Sequence, residues 1–386
     1  MKKPNKRITR KGTGDVKTVS DNKTGKHSYC SMPKTVERVF GPDVNPNRAG
    51  LIRKIEKKWA NGTVLHYYFF DKSSDGEYVY YTNGTRKWVG WTTQEAEKKI
   101  VRRAFDIWKK VGIGLEFKEV KSREDAEIRI GFMRGDGAWS YIGRDINGIA
   151  EDERTMNFGW DLTRQASEID TAIHEIGHTL GFPHEHQNPN AGIVWDEESV
   201  YSDLAKPPNE WSRETTYHNI IKKIDPDTVQ GSNWDPNSIM HYPFDSGMIK
   251  IPEKYYTSGL EPDPGLSKRD KTWVKSFYPP LKKNDYIDLL PFRSVQMSIK
   301  AGEQINFNIK PVATRYYNIS TFGTSDTLMV LFENENGENR YRTADDDSGT
   351  GYNAKIRTKL IKGRSYVLRV RLYYSNRSGG TAVMMW

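Results

Sequence analysis

His174-Glu-Ile-Gly-His-Thr-Leu-Gly-Phe-Pro-His-Glu185 puts three histidines and two glutamates into one short run. Histidines at i and i+4 share one face of a helix, so both imidazoles can reach one ion at ~2.0–2.1 Å. A helix is therefore expected from about Glu168 to Leu180. Gly181 is expected to end it with positive φ and turn the chain back, so that His184 supplies a third nitrogen. Glu175 is placed to take a proton from an attacking water without ligating the metal. Three neutral imidazoles with an open position favour zinc acting as a Lewis acid in hydrolysis.

Outward from this run, the chain reads as mixed helix and strand. Lys57–Phe70 is aromatic and β-branched behind an Asn-Gly turn and predicts a strand, with short strands at Tyr78–Tyr81 and Lys87–Trp91. Thr92-x-x-Glu95 is a capping box, and Ala96, Ile100, Ala104, Trp108 and Val111 follow at helical spacing until Gly112. Strands are expected at Leu115–Val120, Ala126–Phe132, Tyr141–Ile142 and Thr155–Trp160. Asn188–Asn237 reads as loop, and Leu266–Tyr278 as a helix stopped by Pro279-Pro280. From Asp285 onward only strands are expected, with turn residues at intervals of roughly ten, the rhythm of a β-sandwich.

The whole chain has 386 residues, with 59 Lys and Arg against 50 Asp and Glu, a net charge of +9. Seven of those nine charges lie in residues 1–27, which hold nine basic and two acidic side chains. No aromatics interleave that arm, so it reads as a solvated tail and not as a nucleic-acid grip. It also lacks the apolar stretch of a secretory signal. A mean hydropathy of −0.78 and the lack of a long apolar run exclude a membrane span. The single cysteine, Cys30, excludes a disulfide framework.

The extended histidine motif is the metzincin signature, and HEIGHTLGFPHE resembles that of astacin-type zinc peptidases. Ser238-Ile-Met-His-Tyr242 resembles their Met-turn. The resemblance implies Met240 as an apolar floor beneath the metal, and Tyr242 as a movable metal ligand that hydrogen-bonds the oxyanion. AEIRIGF, AWSYIGRD and TMNFGW resemble the strands that precede the active-site helix, and Ala138–Arg144 reads either as a peptide-aligning edge strand or as an ordinary edge. After Glu185, His186-Gln-Asn-Pro departs from the Gln-x-Arg-x-Asp-Arg run of animal astacins. His66, His186, His218 and His241 lack ligand spacing.

Residues 284–386 resemble the pre-peptidase C-terminal (PPC) β-sandwich, and Asp345, Asp346 and Asp347 read either as a calcium site or as a solvated acidic turn. Cys30 likewise carries two readings. It is a buried structural thiol, or a switch whose sulfur takes the open zinc position.

The expected architecture is thus a tail or pro-segment over 1–45, and an α+β metzincin domain over 46–282 with a twisted, mostly parallel sheet. An all-β domain follows over 284–386. The expected function is a monomeric, extracellular zinc endopeptidase acting on proteins or peptides. The alternatives are a delivered toxin protease and a binding module with a vestigial catalytic domain.

Overall fold

The computed structural model describes residues 27–35, 57–80, 85–225, 233–281, 286–374 and 377–386. Most of the basic tail, the expected boundary at residue 46 and that at 282–284 lie outside these residues. The described chain parts into two compact units. One takes His66–Ile107 and Glu119–Arg269 with the described residues up to Trp59; the other takes Ala60–Leu65, Trp108–Lys118 and Asp270–Trp386.

The sheet that supports the histidine helix has five strands: β1 (Val64–Phe69), β4 (Glu116–Glu119), β5 (Ile128–Gly131), β6 (Trp139–Ser140) and β7 (Met156–Asn157). Their order across the sheet is β4-β1-β5-β7-β6. β1–β5 and β5–β7 pair in parallel, whereas β6 runs antiparallel at the edge. β2 (Gly76–Tyr80) and β3 (Arg86–Gly90) form a separate hairpin. The edge strand falls at Trp139–Ser140, two residues before the expected Tyr141–Ile142. Trp139 is buried, and its indole N–H donates to Asp136, so tertiary packing sets the position of so short a strand.

Helix α1 (Glu95–Lys110) follows the capping signature. Val101, Ala104 and Phe105 are buried on its inner face, with Phe105 stacked on Tyr67 at 4.3 Å. Helix α2 (Glu168–Thr179) carries the first two histidines.

The stretch read as loop, Asn188–Asn237, holds α3 (Glu197–Leu204), α4 (Arg213–Thr216) and a π-turn at Tyr217–Ile221. Asp196 and Ser212 cap the two helices by accepting from the N–H groups of Ser199 and Thr215. β8 (Val194–Trp195) and β9 (Ile249–Ile251) form a short ribbon. Two further helices are α5 (Lys254–Ser258) and α6 (Lys268–Phe277).

In the second unit two sheets enclose a core. Their strands are β10 (Tyr286–Asp288), β11 (Val295–Ile299), β12 (Gln304–Ile309), β13 (Arg315–Phe322), β14 (Thr327–Glu335), β15 (Glu338–Asp345), β16 (Lys355–Leu360), β17 (Ser365–Leu372) and β18 (Gly379–Met385). One sheet has the order β10-β12-β17-β14-β15 and the other β11-β18-β13-β16. Phe307, Tyr317, Ile319, Leu368 and Val383 are among the residues between the sheets. β14 reads as a nearly continuous apolar run because both of its faces are covered. Met329 and Leu331 enter the main core, while Leu328, Val330 and Phe332 form a second cluster.

Candidate active site

The C-terminal end of α2 builds most of the site from local backbone geometry. Gly181 has a φ of 95°, a conformation that only glycine adopts without strain. Its N–H donates to His178 O at 2.8 Å, and the Phe182 N–H donates back to Gly177 O at 3.1 Å. That reversal aims the Phe182 carbonyl at His178, whose Nδ1 lies 2.7 Å from it. It also carries the chain round to His184.

A second tight turn faces it. His241 N–H donates to Ser238 O at 2.9 Å, and the turn presents two consecutive carbonyls. Ile239 O lies 2.7 Å from His174 Nδ1, and Met240 O accepts from the Glu185 N–H at 2.9 Å. The Glu185 carboxylate in turn accepts from the Asp235 N–H and the Asn188 amide. Met240 is buried, and its carbonyl holds the chain beside His184 through the Glu185 N–H.

With Nδ1 of His174 and of His178 engaged by carbonyls, their Nε2 atoms face inward as bare acceptors. Cys30, His174, His178 and His184 each offer one donor atom, all within 4.8 Å of one another. His178 Nε2 lies 3.1 Å from His184 Nε2 and 3.6 Å from Cys30 Sγ. Around a tetrahedral zinc, two nitrogens sit ~3.3 Å apart and a nitrogen and a sulfur ~3.6 Å. The donor set therefore fits zinc. The buried Nε2 of His174 and Oε1 of Glu175 have no hydrogen-bond partner, a costly state that a cation and its water relieve.

Burial sets the charge states. It pushes the His174 imidazole down to about 4 and holds those of His178 and His184 well below their ordinary value, so all three are in the neutral, ligating form. Burial raises the Glu175 carboxyl to about 8, although a hydrogen bond from the Cys30 thiol works the other way. The thiol itself is held well above its ordinary value by burial and by Glu175.

Cys30 is buried, as one reading of it expects, and it also sits inside the histidine cluster, as the other expects. Its carbonyl accepts from the Tyr242 hydroxyl at 2.6 Å, and that hydroxyl lies 2.6 Å from His184 Nε2. The neighbouring chain runs along the edge of the sheet. Ser31 N–H donates to Ala138 O at 3.2 Å, and Met32 N–H donates to the Asn219 side chain at 3.1 Å.

The remaining histidines stay outside the donor cluster. His186 lies 2.9 Å from Asn219 O, His241 lies 2.7 Å from the Tyr242 carbonyl, and His66 sits beside Glu127. Asp345 accepts from the Ser348 and Lys355 N–H groups and so braces its own turn. Asn209 and Asn219 carry no motif, so nothing in the sequence singles them out. The carbonyls of Ile239 and Phe182 leave no trace in side-chain identity at all.

Residues 86–251 match the Astacin peptidase family. Bone morphogenetic protein 1 of Xenopus laevis is 28% identical over 194 residues, 47% of this chain and 24% of that protein. Blastula protease 10 of Paracentrotus lividus is 27% identical over 154 residues, 39% of this chain and 23% of that protein. The chain thus spans about a quarter of the length of these curated relatives. Among solved structures, myroilysin is 29% identical, with 58% of this chain and 97% of that chain covered and a TM-score of 0.49.

Proposed function

We propose that this chain, an astacin-type metallopeptidase over residues 86–251, is a zinc-dependent endopeptidase that cuts proteins or peptides and is held latent by Cys30. The observation that carries the reading is the convergence of three neutral imidazoles on one point beside a carboxyl that ligates nothing. A vestigial binding module would have lost a ligand or the base, and here all four groups converge.

His174, His178 and His184 would hold the zinc, which supplies a Lewis acid that polarises the scissile carbonyl and acidifies water. Glu175 takes the proton of the attacking water and returns it to the leaving amine. Tyr242, freed from the Cys30 carbonyl, donates its hydroxyl to the developing oxyanion. The sheet edge at Ala138, directly before β6, aligns an extended peptide through main-chain groups, as the Ser31–Ala138 bond does for the chain's own segment.

The purified chain is expected to bind about one zinc by elemental analysis. Glu175→Ala should keep the metal and lose hydrolysis of unfolded polypeptides; a fully active variant would sink the mechanism. The Cys30 reading rests on the fit of its sulfur to the fourth position. Cys30→Ser should cut at once, whereas the parent shows a lag that ends on cleavage near residues 35–50 or on thiol modification.

The same proposal places a pro-segment over 1–45, the peptidase domain over 46–282 and a PPC-like sandwich over 284–386. The chain is taken as a monomer acting outside the cell; among the described residues no helix is long and apolar enough to cross a membrane. A calcium role for Asp345–Asp347 would show as a rise in melting temperature on adding that ion.

A further inference from the structure

We infer that the cleft contains a pocket for an aromatic side chain immediately beside the scissile bond, formed by Trp211, Tyr242 and Phe244 with a carboxylate rim that turns acidic residues away. The inference rests on the endopeptidase reading above and adds a substrate preference to it.

The pocket is described by what fills it. Tyr29 directly precedes the cysteine whose sulfur lies among the imidazoles, and it is only 4% exposed. Its ring stacks on Phe244 at 5.9 Å and 25°, and leans on Tyr242 at 5.1 Å and on Trp211 at 6.2 Å. A substrate backbone that follows the path of Tyr29 and Cys30 past the imidazoles brings a side chain adjoining the cut against the same walls.

The backbone on either side of the ring is held without regard to sequence. Asn209 accepts from the Tyr29 N–H and donates to the His27 carbonyl, both at 3.0 Å, while Asn219 accepts from the Met32 N–H. Any extended chain satisfies such amide bonds. Discrimination therefore falls to the aromatic walls, where a small side chain leaves a void and a tyrosine or phenylalanine fills it.

The rim adds a second criterion. His27 lies 3.6 Å from Asp245 and 3.7 Å from Glu261. His27 in turn packs against the Tyr29 ring, with centroids 6.3 Å apart, so the two carboxylates lie at the mouth beyond that ring. These carboxylates tolerate a neutral hydroxyl and repel an aspartate or glutamate.

The test uses the full-length zinc-loaded chain, parent and Cys30→Ser, on peptides from a digested proteome, with cut sites read by mass spectrometry. Tyrosine, phenylalanine and tryptophan should be enriched about tenfold over alanine at one position beside the cut, the order of discrimination an apolar pocket achieves. Aspartate and glutamate should be depleted there. Trp211→Ala should flatten the aromatic enrichment, and Trp211→Phe should keep it. Should Trp211→Ala not fold, Asp245→Asn reads the same pocket by admitting acidic residues. Cutting without aromatic enrichment, or enrichment unchanged in folded Trp211→Ala, overturns the pocket and leaves the endopeptidase reading standing. Zinc-loaded protein that cuts nothing in either form overturns that reading, and the pocket with it.

Discussion

At Tyr242 a single hydroxyl meets both the Cys30 carbonyl and the His184 ring, so under the proposed mechanism one atom would serve the blocked and the working site in turn. Tyr242→Phe should lower turnover by about a hundred- to a thousand-fold, the range for losing one oxyanion donor. Its zinc content should match the parent's by elemental analysis. His241 offers a separate check. Burial pushes its imidazole down to about 4, against an unfolded value near ~6.5. The unfolded chain therefore gains a proton on acidification that the native chain refuses. The stability this group contributes is present above pH ~6.5 and drains away as pH falls towards about 4. Between pH 6.5 and 5 the loss is about 2 kcal/mol, to be read from urea unfolding of the metal-free protein. His241→Gln should show a shallower slope over that interval.

At the scale of elements, the parts with a repeating or motif-like signature are legible in the sequence, and the parts set by distant contacts are not. The His174/His178 spacing locates α2 to within a residue of its observed end. The alternating and β-branched runs locate β16 at Lys355–Leu360 and β17 nearly so. The three clustered histidines are legible for the same reason, since spacing is itself the chemistry. By contrast α3 and α4 read as loop, although Asp196-x-x-Ser199 and Ser212-x-x-Thr215 bear capping residues; their short length hides the helical period. The π-turn at Tyr217–Ile221 has no pattern of its own, yet it aims Asn219 at Met32. Asn219→Ala removes that acceptor and should shorten the lag of the parent enzyme, followed as product against time, and raise KM for extended peptides by about fivefold, the worth of one such hydrogen bond.

Across the whole chain, each unit has an apolar core of its own, and the net charge is concentrated in the tail that the sequence carries ahead of Cys30. The segment around Cys30 is fastened through its main chain by Asn209, Ala138 and Asn219 and through its side chains by Tyr29 and the thiol. Because it belongs to the same molecule, its effective concentration at the site is fixed by the intervening chain and not by how much protein is present. Under the proposed latency, dilution should leave an intact molecule as inactive as before. A single cut near residues 35–50 would turn that internal ligand into a separate peptide whose occupancy falls with every further dilution. If Cys30 imposes latency as proposed, the tether makes waking a one-way event, timed by the first cut and kept irreversible by diffusion.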